Sequence, residues 1–161
     1  MLTPSDLARA YKRNATIVMS QADGLGHADS LLQTPWRVNC FNWTVGHLVA
    51  GRDSALEVLG AERVGDADLL KRYETESEPI TGDGPGVLQF AELLGMLAVA
   101  TDRLEAALAP VTEEWLAEEI AVGSRTQTRA YRLHFLYFHD TYHTGQTEIL
   151  RQLTGVGDKV I

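Results

Sequence analysis

The chain has 161 residues, 45% of them hydrophobic and 22% charged, which suits one globular domain of ordinary composition and excludes disordered and fibrous classes. Its formal charge of −8, from 22 acidic against 14 basic residues, argues against a nucleic-acid partner, because phosphate binding needs lysine and arginine gathered on one face. One cysteine, Cys40, excludes an internal disulfide and any multi-cysteine metal cluster, and it fits a reducing compartment.

The first twenty residues carry Asp6, Arg9, Lys12 and Arg13, so no signal-peptide core can be drawn there. No apolar run is long enough to span a bilayer. A cytoplasmic protein without a membrane partner is expected.

Taken in order, the elements are mostly helical. Thr3-Pro4-Ser5-Asp6 opens a first helix with a cap, a first-turn proline and an acid three residues after the cap. Leu7, Tyr11, Asn14, Ala15, Val18 and Met19 then form one stripe, ended by Gly24 and Gly26. Residues 28–41 read as a connector. Asn42 is the expected cap of a second helix that holds Trp43, Val45, Leu48, Val49 and Leu56, with Gly60 as its left-handed stop. Residues 61–86 are rich in glycine and proline, with one short helix at Asp66–Glu74. A link this long predicts a crossover.

A third helix is expected from about Gly86 to Ala109. The stretch 111–126 fits either a helical turn or a short strand pair. A last helix runs from about Thr128 to Leu153, ended by Gly155. The fold class is therefore all-α: a four-helix bundle, one domain over 1–161, with the long crossover between helices two and three.

Two of the five histidines, His139 and His143, lie four apart in the last helix, stacked on one face with Cβ atoms roughly 5–6 Å apart. Phe135, Leu136, Phe138, Tyr142, Ile149 and Leu150 flank them, so at least one ring faces partly inward and needs a partner. Spacing alone leaves two readings, a shared metal or a hydrogen-bonded or solvated pair. His47, in the apolar start of the second helix, is placed to supply a third ligand. His27 reads as a cation at a helix end, and His134 falls on another face. The group Arg125, Arg129 and Arg132 reads as a solvated patch.

Other motifs fit less well. His139-Asp140-Thr141-Tyr142-His143 is one methylene short of the zinc-protease helix H-E-x-x-H. A di-iron bundle needs two Glu-x-x-His units that are absent.

With these residues in view, the chain resembles the DinB-like (DinB/YfiT-like) superfamily of four-helix-bundle metalloproteins. Asn42-Trp43-Thr44-Val45-Gly46-His47 resembles the family's second-helix start, and His139 to Gln146, continuing to Arg151 and Gly155, resembles its H-x-x-x-H-x-G-Q ending. The departures are Asp140 where many relatives carry Glu, and a polar Thr147. The resemblance implies that His47, His139 and His143 hold one divalent ion, most often zinc or nickel, with water completing the shell.

It further implies an enzyme that transfers a low-molecular-weight thiol such as bacillithiol, mycothiol or glutathione to a small electrophilic substrate. A metal-dependent hydrolase and a non-catalytic, stress-related metal- or ligand-binding bundle are the alternatives. Asp140 is the one weak catalytic candidate, and Cys40 the only protein-derived fourth ligand in prospect. Trp36, Trp43 and Trp115 read as pocket-mouth or core aromatics, and Arg151 as a cofactor contact or a helix-end cation. A homodimer is the assembly the family suggests.

Overall fold

A computed structural model describes residues 3–36 and 38–156. Four long helices carry the fold: α1 (Pro4–Ala22), α3 (Phe41–Val58), α5 (Phe90–Leu108) and α7 (Arg129–Gln152). Three short helices join them, α2 (His27–Ser30), α4 (Ala67–Leu70) and α6 (Glu113–Ala117), with one hairpin, β1 (Glu119–Val122) and β2 (Arg125–Thr128).

Local chemistry explains most boundaries. The Thr3 hydroxyl accepts from the Asp6 amide at 3.1 Å while the Asp6 carboxylate accepts from the Thr3 amide at 3.2 Å, closing both ends of the first turn of α1. Thr128 caps α7 through the Tyr131 amide, Asp66 caps α4, and Gly60 and Gly155 take the positive φ of helix stops.

Three expectations change. Asn42 is not the cap of α3, a place taken by Cys40. Every residue from Phe41 to Val49 is buried, so the Asn42 amide is drawn into tertiary bonding, donating to the Leu88 carbonyl at 3.0 Å and accepting from the Tyr73 hydroxyl at 3.2 Å. The helix α5 starts at Phe90 rather than Gly86, whose φ of +76° lies outside the helical region. The stretch after Pro110 holds both alternatives in sequence, α6 and then the antiparallel hairpin turning at Gly123-Ser124.

The long helices form a square in which α1 and α3 each pack on α5 and α7. Tyr11 meets Tyr137, and Arg151 donates to the Gln21 carbonyl, so α1 and α7 run parallel. Phe41 meets Phe90 at 5.2 Å and Arg52 bonds Thr101, so α3 and α5 run parallel as well. His47 meets His143 while Arg52, further along α3, meets Asp140, earlier on α7, so the two pairs run antiparallel. The link between α3 and α5 therefore returns the chain along the bundle, as the predicted crossover requires. Asp53, fully buried, pins it by accepting from the amides of Val64 and Gly65 at 2.7 and 3.1 Å.

Two apolar clusters fill the bundle. One gathers Val18, Phe41, Val45, Leu48, Leu93 and Leu150, and the other Leu7, Leu56, Leu104, Leu133 and Leu136. Cys40 sits within the first, 1% exposed. No helix among the described residues is long and apolar enough to cross a membrane.

Between the clusters lies a buried polar layer. Arg52, with no exposed surface, donates through Nε to Asp140 Oδ2 at 2.8 Å and through Nη2 to Oδ1 at 3.2 Å. Its other bonds reach the Thr101 hydroxyl and the Tyr11 carbonyl. Asn14 adds a third donor to Asp140 Oδ1 at 2.8 Å. This layer ties all four long helices together, which satisfies the charges that burial would otherwise penalise.

Candidate metal centre

The antiparallel packing of α3 against α7 brings His47 beside His139 and His143, with ring centroids 4.5–4.8 Å apart in every pair. One ligating nitrogen from each lies within 4.8 Å of the others. Among the described residues this is the only such group of three or more His, Cys, Asp or Glu side chains. Cys40 does not join it.

The hydrogen bonds of the rings define which nitrogens face inward. His47 Nδ1 lies 2.6 Å from the Tyr73 carbonyl, which only accepts, so Nδ1 carries the proton and Nε2 keeps its lone pair. His143 Nδ1 lies 2.8 Å from Gln146 Oε1 and donates likewise. His47 Nε2 and His139 Nε2 stand 3.0 Å apart, close to the roughly 3.3 Å that two nitrogens on one tetrahedral zinc would keep. His139 Nδ1 is buried without a partner in the protein.

The surroundings keep these rings neutral. Burial pushes His47 down to about 4, helped by the charges His143 and His139 would carry and opposed by the Tyr73 carbonyl. Burial also lowers His139, with further lowering from His143 and Arg132 against the pull of Asp140. His143 is lowered by burial against the opposing effects of Gln146 and Asp140. Three neutral imidazoles with convergent lone pairs are a borderline-soft donor set suited to zinc, nickel and their neighbours. The chemistry of the donor set and the convergence of its nitrogens fit a metal, while the unpartnered His139 Nδ1 faces Gly51 and takes no part in it.

Local sequence explains the posture of the rings. A Cβ on Gly46 would stand 2.1 Å from the Tyr73 ring, so only glycine lets that ring lie on α3 and bring its own carbonyl to His47. Trp43, one turn before His47, stacks on it at 4.4 Å with 18° between planes, and its indole N–H is held by Ser77 at 3.0 Å. Beside His47 and His139 opens a groove of about 480 Å³ lined on one wall by Arg132 and Phe135 and on the other by Gly51 and Arg63.

The remaining sequence candidates fall elsewhere. Asp140 is 3% exposed and its carboxylate is taken up by Arg52 and Asn14. His27 does not serve the end of α1: its Nδ1 accepts from the Phe90 amide at 3.2 Å and caps α5. His134 is exposed. Arg151 is buried and caps the C-terminal end of α1 through the carbonyls of Gln21 and Asp23. Trp36 is exposed, while Trp115 lies under the Arg129 guanidinium at 4.3 Å. Sequence reasoning passed over Arg52 and Tyr73. A charge in an otherwise buried helix was the available signal for Arg52, whereas nothing local marked Tyr73.

A helical bundle with three convergent histidines on its second and fourth long helices defines a class of candidate metal-binding proteins. Within that class, the sequence profile of the DinB superfamily matches residues 6–147, and the chain belongs to that superfamily. Among solved structures it is similar to a conserved protein from Enterococcus faecalis, with a TM-score of 0.75 over 96% of this chain and 98% of that one. Identity to that protein is 16%, so the likeness is one of fold. No functionally curated protein matches the chain.

Proposed function

We propose that His47, His139 and His143 hold one divalent ion, zinc or nickel, and that the protein uses it to transfer a low-molecular-weight thiol to a small electrophile. The observation that carries this reading is the convergence of three ring nitrogens, two of them aimed by Nδ1 hydrogen bonds of the kind that orient metal-ligating histidines. When bound in such a site, a divalent ion lowers the pKa of a coordinated thiol and keeps it as thiolate at neutral pH.

The residues then have separate tasks. Tyr73 and Gln146 fix the tautomers of His47 and His143. Trp43 covers one face of His47 and excludes water from it. Asp140 acts as a positioning residue, holding α7 against Arg52 so that the adjacent His139 faces α3. The three-histidine set leaves room for an exchangeable ligand, the arrangement that favours catalysis over a closed structural site.

Hydrolysis at the same centre ranks second, because Asp140, the carboxylate next to His139, is consumed by Arg52 and Asn14 and cannot serve as general base. A thiolate needs no such base. A cytoplasmic homodimer with no nucleic-acid partner completes the reading. The exposed residues Tyr131, Phe138, Tyr142 and Ile149 of α7 are the face available for pairing, to be checked by sedimentation.

The test is elemental analysis of protein purified without chelator or affinity nickel, followed by a thiol-transfer assay against a panel of electrophiles. One metal per chain is expected, falling below a tenth in H47A, H139A and H143A. Full metal retention in all three variants refutes the site. Turnover no greater than that of H47A refutes the transferase reading.

A further inference from the structure

We propose that the groove beside the histidines selects a small thiol bearing a carboxylate, and that Arg132 is the residue that binds that carboxylate. The proposal rests on the thiol reading above and adds the class of thiol.

The groove is lined along α7 by Arg132, Phe135, Leu136 and His139, which step down one helical face at three- and four-residue intervals. Arg132 and His139 are thus two turns apart, about 10 Å of helix. Beyond burial, the Arg132 charge is felt at His139, which it lowers further, and a ligand held between the two would have the length of a short-chain mercapto acid. The Arg132 guanidinium lies 5.7 Å from the Phe135 ring centre, and no carboxylate among the described residues pairs with it.

Arg13, Arg72 and Arg125 likewise have no carboxylate partner among the described residues, but of these four arginines Arg132 alone lines the groove beside the histidines. Arg129, one helical turn earlier, pairs with Glu118, and Arg63 across the groove leans on Asp53 at 3.6 Å. Arg132 is half-buried, so its guanidinium is partly desolvated and its planar fork suits a carboxylate in two-point contact. Glu57 and Glu74 also line the groove, but both are exposed at its rim, where water screens them. Phe135, 46% exposed, offers the apolar surface that the methylenes of such a ligand would cover.

The experiment uses the cobalt(II)-loaded protein at pH 7, in which a bound thiolate gives a charge-transfer band in the near ultraviolet. Three thiols of similar size are titrated: 3-mercaptopropionate, neutral 2-mercaptoethanol and cationic cysteamine. The expected result is half-saturation by 3-mercaptopropionate at about tenfold lower concentration than by either other thiol, the worth of one charge-assisted contact. R132Q should bring the three within twofold while leaving 2-mercaptoethanol unchanged, and R132K should retain part of the preference.

Equal half-saturation of the wild type by all three thiols, or a preference that survives R132Q, overturns the inference and leaves the thiol reading standing. Tightest binding of cysteamine overturns it in favour of Glu57 and Glu74. A band from none of them removes the thiol reading itself, and this inference with it.

Discussion

Replacing Asp140 by alanine leaves Arg52 as a buried cation without its counter-charge. Asp140 accepts three bonds of 2.8–3.2 Å, two from Arg52 and one from Asn14, and Arg52 has no exposed surface through which water could substitute. Breaking a buried ion pair by removing one partner costs about 3–5 kcal/mol, a large share of the roughly 5–15 kcal/mol that holds a domain together. With a urea m-value of about 2 kcal/mol/M, the unfolding midpoint of metal-free D140A should fall by about 1.5–2.5 M.

The double variant R52M/D140L removes both charges and retains the volume, so it should recover most of that loss. Urea titrations followed by circular dichroism, with m-values compared to confirm two-state behaviour, measure both. A D140A midpoint within 0.5 M of the wild type, an amount within about 1 kcal/mol, would refute the reasoning. So would a double variant no more stable than D140A, since the penalty then could not arise from an unpaired charge.

Other predictions address the site. G46A should destabilise the protein by about 1–3 kcal/mol through overpacking against Tyr73, whereas G145A, with open space at its Cβ, should stabilise α7 by about 0.5–1 kcal/mol; paired thermal melts decide, and equal shifts would contradict the packing described. Q146L removes the acceptor of the His143 Nδ1 proton and should weaken metal binding about 10–100-fold without moving the melting temperature of the apo-protein, as read by competition with a chelator. Unchanged affinity would sink that role. For pH, His47 has a folded value of about 4 against 6.5 when free, so the unfolded chain binds the proton more readily. Its contribution, on the order of 3 kcal/mol, is present above pH 6.5 and lost as the pH falls towards 4. The wild-type apo-protein should therefore lose stability over that window faster than H47Q in parallel urea titrations, and parallel curves would refute the shift.

Features set by neighbours in sequence were legible before any coordinates. Thr3 caps α1 because a hydroxyl reaches an amide three residues on, Gly60 and Gly155 stop helices because glycine tolerates positive φ, and the four-residue step of His139 and His143 places both rings on one face. Those rules act within one or two turns; the three- and four-residue apolar period adds the all-α class, and the glycine- and proline-rich stretch 61–86 adds the crossover.

What depended on packing was the choice of distant partners. Asn42 has the chemistry of a cap, yet it bonds Leu88 and Tyr73 because the first half of its helix, Phe41 to Val49, is buried on every face. His27 caps α5, 63 positions away in sequence. Arg52 finds Asp140 at a separation of 88 residues, and His47 meets His139 across 92. A sequence names the groups able to bond, but the packing of α3 against α5 and α7 determines which of them meet, because burial permits a charge or polar ring only where its partner is already waiting.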